Sequence, residues 1–247
     1  KMVDALEKSL DQDIKTLSWM TEETKKQAKV KLDAIRNKIG YPDAWRDYSS
    51  LKIVRGDLLG NFLRANEFEA KRQIAKIGKP LDRNEWQMTP PTVNAYYSPA
   101  RNEIVFPAGI LEPPFFDKQA DDAINFGGIG IVIGHELTHG FDDQGRKFDP
   151  QGNLRDWWTA QDGTEFEKRA SCIADEYSNF VAVDDLKLNG KLTLGENTAD
   201  NGGARVALMA LEQMIADGQG GPAAQTIDGS HPHPRFCPGF RRARVAN

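Results

Sequence analysis

The chain has 247 residues, 39% of them hydrophobic and 28% charged, with a formal net charge of -4. That is enough for one large domain or two small ones with a substantial core, within the range of soluble globular proteins. It excludes a nucleic-acid footprint, which needs clustered Lys and Arg, and a membrane span, because no apolar run nears the ~20 residues required.

In chain order, Val3, Leu6, Leu10, Ile14 and Leu17 recur at helical spacing and predict a first helix. Thr21 reads as an N-cap, with Glu22 and Glu23 in the favourable first turn of a second helix. Its apolar stripe is Ala28, Leu32, Ile35 and Ile39, and Gly40 and Pro42 stop it. A third helix is expected over Asp57 to Ile77, with Leu59, Phe62, Ala70, Ile74 and Ile77 packed inward. Character changes near Thr92: Val93 to Tyr97 reads as a strand, Ser98 to Asn102 as a turn and Glu103 to Phe106 as a second strand. Ile124 to Phe141 is apolar and dotted with glycine, which predicts a buried helix, and another helix is expected around Thr164 to Phe180.

Leu186 to Leu188, Asn189-Gly190, and Lys191 to Leu194 form a hairpin pattern, because Asn-Gly suits a type I′ turn. Glu196 to Ile215 closes as a helix with Leu208, Leu211 and Ile215 on one side. The organisation expected is a helical segment over 1–90 packing on a core unit over 91–216, then an irregular tail over 217–247. The one basic cluster, Arg241, Arg242 and Arg244, falls in that tail. Cys172 and Cys237 can pair, but two cysteines do not make a disulfide framework. The start, Lys1-Met2-Val3-Asp4, lacks the apolar core of a signal peptide, so targeting information is expected to be absent or to lie upstream.

The decisive stretch is His135-Glu136-Leu137-Thr138-His139. On a helix, residues four apart lie on one face, one turn above the other. Two imidazole nitrogens can therefore reach one ion at ~2.0–2.1 Å. Glu136 sits ~100° round the helix from His135, beside the open coordination position, where its carboxylate can take a proton from the attacking water. The competing reading, two surface histidines on an amphipathic helix, conflicts with the apolar Ile129, Ile131, Val132 and Ile133 before the motif and Phe141 after it. Buried histidines need partners, and a metal supplies one.

A catalytic zinc usually takes a third protein ligand plus water. Glu196 and Asp200, four apart at a helix start, put two carboxylates on one face. One can bind metal while the other holds a ligand histidine by its second ring nitrogen. Alone, the pair would read as acidic groups complementing a helix dipole; after a zinc motif in the same chain, the ligand reading is favoured.

With these residues in hand, the chain resembles the neprilysin, or M13, family of zinc metallopeptidases. Val93-Asn94-Ala95-Tyr96-Tyr97 resembles the family's substrate-binding strand, and Asn102 to Leu111 follows in the expected place. Gly134 to Asp143 is similar to the zinc-helix signature, and Gly195 to Gly203 to the third-ligand signature. Trp19 to Lys25 and Ile39 to Asp43 also match, so the resemblance runs from about residue 1 to residue 229.

The resemblance implies an α+β fold, a thermolysin-like zincin catalytic domain, mostly helical with a small mixed or antiparallel sheet. It implies one Zn2+ ion on His135, His139 and Glu196, with Glu136 activating water and later passing its proton to the leaving amine. Asp200 is then expected to orient His135 and to stabilise charge in the transition state, and Asp142 to support His139. Asn94 and the backbone of Ala95 are expected to bind a peptide that adds to the sheet as an extra strand; read without the resemblance, Asn94 is a plain polar residue beside a turn. Cys172 is expected to pair, by the same resemblance, with a cysteine upstream of this stretch.

The function implied is a zinc endopeptidase cleaving oligopeptides on the amino side of apolar residues, outside the cytoplasm in a bacterial periplasm, cell envelope or secreted form. Family members are longer, carrying an N-terminal helical lid and a last signature with a histidine and an arginine. His231 and His233 do not sit in that pattern, and the residues after Gly229 keep only fragments of it, such as Arg235-Phe236 and Gly239-Phe240. The alternative is therefore a catalytically weak or silent zinc- or peptide-binding fragment.

Overall fold

The computed structural model describes residues 1–218. The irregular tail with its arginine cluster, and the pairing of Cys172 with Cys237, lie outside the described residues. Helix α1 (Met2–Thr16) buries Leu6, Leu10 and Ile14, the stripe expected from its spacing. Helix α2 (Glu22–Asp33) starts at Thr21, whose hydroxyl accepts from the Thr24 N–H. Thr21 and Thr24 also donate their hydroxyls to Asp162 Oδ2, each at 2.5 Å, and Thr159 donates to the same atom at 2.7 Å. Thr159 is the N-cap of α6 (Ala160–Tyr177), so one buried carboxylate ties the starts of two helices together.

The second apolar stripe does not continue as helix to Ile39. Arg36–Gly40 is strand β1, in parallel register with β3 (Glu103–Pro107). An extended segment here finds backbone partners along β3, beginning with Arg36 N–H to Asn102 C=O at 3.0 Å, and tertiary pairing overrides the helical spacing. Ile35 stays buried while Ile39 is half exposed. The third helix, α3 (Leu58–Ile74), starts at Asp57 as expected, but none of its residues is buried. Leu59, Phe62, Ile74 and, just beyond, Ile77 face outward rather than inward. The spacing identified a shared apolar face; nothing among the described residues covers it.

Strand β2 (Tyr96–Ser98) is shorter than the expected Val93 to Tyr97 and runs antiparallel to β3. The sheet order is β1-β3-β2, which makes β3 the fully buried centre and β2 an edge. The turn between them ends on Asn102 at φ 47°, a left-handed conformation that Asn tolerates better than most residues. The buried helix expected over Ile124 to Phe141 is α4 (Asp122–Asn125), a π-helical turn (Phe126–Gly130) and α5 (Ile131–His139) in continuous succession.

After α6, the hairpin is displaced. Strands β4 (Val181–Val183) and β5 (Leu186–Lys187) pair antiparallel, with Asp184 at φ 53° between them. Asn189-Gly190, the expected turn, instead leads into α7 (Leu194–Ala216): Asn189 C=O accepts from the Leu192 and Thr193 N–H groups. The Gly190 N–H donates to the Ser178 hydroxyl at 3.1 Å, so packing against the end of α6 decides the conformation there. Leu211 of α7 is buried and Leu208 partly exposed, beside a denser inward row of Val206, Ala207, Ala210 and Met214. One core joins Leu6 and Ile14 of α1 to Ile104 and Phe106 of β3, Phe126 and Leu137 of the central helix, and Val206 and Met214 of α7.

Candidate metal centre

Helices α5 and α7 meet without side chains between them. A Cβ on Gly134 would lie 2.8 Å from Gly203 Cα, and one on Gly203 would lie 2.6 Å from the His135 backbone nitrogen. This close approach carries the first turns of α7 over the exposed end of the histidine pair. His135 and His139 project from one face of α5, as their spacing requires, with ring centroids 4.5 Å apart.

Three donor atoms converge there. The Nε2 atoms of His135 and His139 are 2.9 Å apart, and Glu196 Oε2 is 3.3 Å from the first and 3.5 Å from the second. The other ring nitrogens are both occupied: His135 Nδ1 lies 2.8 Å from Asp200 Oδ1, and His139 Nδ1 lies 2.7 Å from Asp142 Oδ2. Asp142 is itself fixed, because its Oδ1 accepts from the Gln144 and Gly145 N–H groups at 2.9 and 2.6 Å. In the neutral tautomers that donate Nδ1–H to these carboxylates, both Nε2 atoms present lone pairs to one another. Lone pairs at 2.9 Å repel, and a cation shared with Glu196 turns that repulsion into ligation. Ligands at ~2.0–2.1 Å on a tetrahedral ion lie roughly 3.3 Å apart, so both the chemistry and the spacing of this donor set fit zinc.

The two glutamates have opposite surroundings. Glu196 keeps a 69% exposed side chain, whereas Glu136 is buried. Ligand-type atoms of His135, Glu136 and His139 lie within 4.8 Å of one another. Burial pushes the Glu136 carboxyl up to about 7; nearby Glu196 acts in the same direction, and His139 and a backbone hydrogen bond from Tyr97 act against it. Burial pulls the His139 imidazole down, but the hydrogen bond and charge of Asp142, with Glu136 and Glu196, outweigh it and leave its pKa raised.

Of the residues expected to hold peptide, Asn94 and Ala95 stand just before the edge strand rather than within it. Asn94 is exposed, and its Oδ1 accepts from the Ala95 N–H at 2.9 Å. The edge strand still adjoins the site, through the Tyr97 backbone and Glu136. Sequence reasoning missed Gly203 as a positioning element. Its signal was Gly202-Gly203 inside an otherwise helical stretch: mid-helix glycine costs ~1 kcal/mol unless close packing needs it.

Two family models match, both described as peptidase family M13, over residues 94–243 and 1–42. The endothelin-converting enzyme homolog of Locusta migratoria is 45% identical over 216 residues, which is 85% of this chain and 30% of that protein. Human endothelin-converting enzyme 1 is 46% identical over 217 residues, 85% of this chain and 28% of the enzyme. The chain therefore spans less than a third of these relatives. The zinc metalloprotease Zmp1 of Mycobacterium tuberculosis, solved with an inhibitor, superposes with a TM-score of 0.84 at 49% identity, covering 87% of this chain and 34% of that one. PepO of Lactobacillus rhamnosis HN001 gives a TM-score of 0.81 at 36% identity, covering 85% of this chain and 34% of that one. The α+β fold is thus that of the catalytic region of these zinc metalloproteases, and the chain belongs to peptidase family M13.

Proposed function

We propose that this chain carries the single-zinc catalytic centre of an endopeptidase that hydrolyses oligopeptides. The observation that carries this reading is the convergence of His135 Nε2, His139 Nε2 and Glu196 Oε2, with Asp200 and Asp142 holding the two imidazoles from behind. One bound zinc ion supplies Lewis acidity to the scissile carbonyl and lowers the pKa of water.

The remaining work falls to the chain. His135, His139 and Glu196 hold the ion, and Asp200 and Asp142 keep each imidazole in the tautomer whose Nε2 is free to ligate. Glu136 is buried beside this cluster and takes the proton of the attacking water. It then delivers that proton to the departing amine. A substrate peptide lies along β2, one edge of the sheet, and donates and accepts main-chain hydrogen bonds as an added strand. Asn94 and Ala95, at the start of that edge, meet its backbone. The same reading places the protein outside the cytoplasm, which fractionation of producing cells checks.

The test is zinc content together with cleavage of a quenched fluorescent peptide, for this chain, for a version extended at both ends, and for Glu136→Gln of each. Glu136→Gln is expected to retain zinc and to lose ~10²–10⁴ in turnover, the usual contribution of a general base. Equal cleavage by wild type and variant removes Glu136 from its role. Zinc binding with no cleavage by any form leaves a silent zinc-binding module.

A further inference from the structure

Lys31 is among the largest side chains wholly buried among the described residues, and the reaction outlined above makes no use of it. It lies in the last turn of α2, on the inward face with Thr24, Ala28 and Leu32. An ammonium buried without partners is strongly unfavourable. This one is held by two main-chain carbonyls, Gly145 at 2.6 Å and Phe148 at 2.7 Å, and lies within 6 Å of the ring centres of Tyr97 (5.9 Å), Phe141 (5.6 Å) and Trp157 (5.8 Å). Both carbonyls belong to the tight turn that follows the histidine helix. The Gly145 N–H donates to Asp142 Oδ1, and Asp142 Oδ2 meets His139 Nδ1. Two hydrogen-bonded steps thus connect the Lys31 ammonium to the carboxylate that orients a ligand imidazole.

The backbone of Lys31 reaches the other side of the site. Its carbonyl accepts from Asn102 Nδ2 at 3.0 Å, and Asn102 Oδ1 accepts from the Tyr97 hydroxyl at 2.9 Å. Tyr97 is the edge-strand residue whose backbone meets Glu136. One residue of α2 therefore braces both the turn behind His139 and the strand beside Glu136.

We propose that Lys31 is a positioning residue of the metal centre, clamping the Gly145–Phe148 turn so that Asp142 is presented to His139. This rests on the zinc reading above and deepens it. Carboxylates that orient ligand imidazoles typically contribute 10–100-fold in metal affinity; a residue that fixes such a carboxylate shares that effect and adds nothing once the carboxylate is gone. A purely structural lysine lowers stability without regard to Asp142.

The experiment measures zinc affinity of the full chain by competition with a chromophoric chelator, in wild type, Lys31→Met, Asp142→Asn and the double variant. Lys31→Met is expected to weaken zinc binding at least 10-fold in the Asp142 background and less than 2-fold in the Asp142→Asn background. Affinity unchanged by Lys31→Met, or equal losses in both backgrounds, overturns the proposal. Should Lys31→Met not fold, Lys31→Leu, which likewise removes the donors to both carbonyls, serves in its place with the same two criteria. A wild type without zinc affinity overturns the metal reading itself, and this inference with it.

Discussion

Glu136 sits where two demands conflict. The reaction needs its carboxylate ionised, and burial favours the protonated form, raising its pKa from the ordinary 4.5 to about 7. In the metal-free protein the folded state therefore holds a proton between pH 4.5 and 7 that the unfolded chain has released. More protons bound in the folded state mean that stability falls as pH rises through that window. The full span corresponds to on the order of 3 kcal/mol. The expected outcome is a metal-free wild type whose unfolding free energy declines from pH 4.5 to 7 relative to Glu136→Gln, measured by urea titration at several pH values. Zinc should abolish the difference, because a divalent ion beside the carboxylate favours its charged form. Parallel curves for the two proteins without metal would show that the carboxyl is not shifted.

At the level of elements, the site depends on how closely α5 and α7 approach. Of the groups proposed to build it, His135 and His139 come from one helix and Glu196 and Asp200 from the other, with His135 and Asp200 65 positions apart in sequence. Gly134 against Gly203 sets the distance, and a Cβ on Gly203 would enter the backbone of His135 at 2.6 Å. Relief requires the helices to separate, since neither contact is to a flexible side-chain end. Gly203→Ala is expected to cost ~1–3 kcal/mol of stability, as overpacking usually does, and to weaken zinc binding more than 10-fold by withdrawing Glu196. Calorimetry with chelator competition checks both; unchanged zinc affinity would mean that α7 shifts without carrying its carboxylates away. The Asp162 carboxylate shared by the starts of α2 and α6 lies elsewhere in the fold, and its hydrogen bonds should be untouched in this variant.

At the scale of the whole molecule, the apolar face of α3 supplies none of the residues of the proposed metal centre. Leu58, Leu59, Phe62 and Leu63 of α3 are 85%, 70%, 63% and 58% exposed, and Ile74 and Ile77 continue the face. Apolar patches on this scale mark contact surfaces or sites of association. The chain by itself is expected to self-associate at micromolar concentrations. Replacing Leu59 and Phe62 by Glu should restore a monomer without altering zinc affinity, as read by light scattering and chelator competition. A wild type that stays monomeric at every concentration would contradict this.

Local pattern alone determined much of this protein. The 3.6-residue spacing located α1, α5, α6 and α7, Thr21 marked a helix start through its own hydroxyl, and His135 and His139 had to share a face because four residues make about one turn. Those properties depend only on neighbours along the chain. Tertiary structure decided the rest. Arg36–Gly40 became a strand because β3 offered its backbone a partner. Asn189-Gly190 became a helix entry because the end of α6 filled the space beside it. The apolar face of α3 remained open, and Lys31, a cation within an apolar stripe, found its two carbonyls on a turn distant in sequence. Spacing states which residues face the same way; only the packed chain determines what they face, because burial, strand pairing and ligation are each completed by a partner far along the sequence.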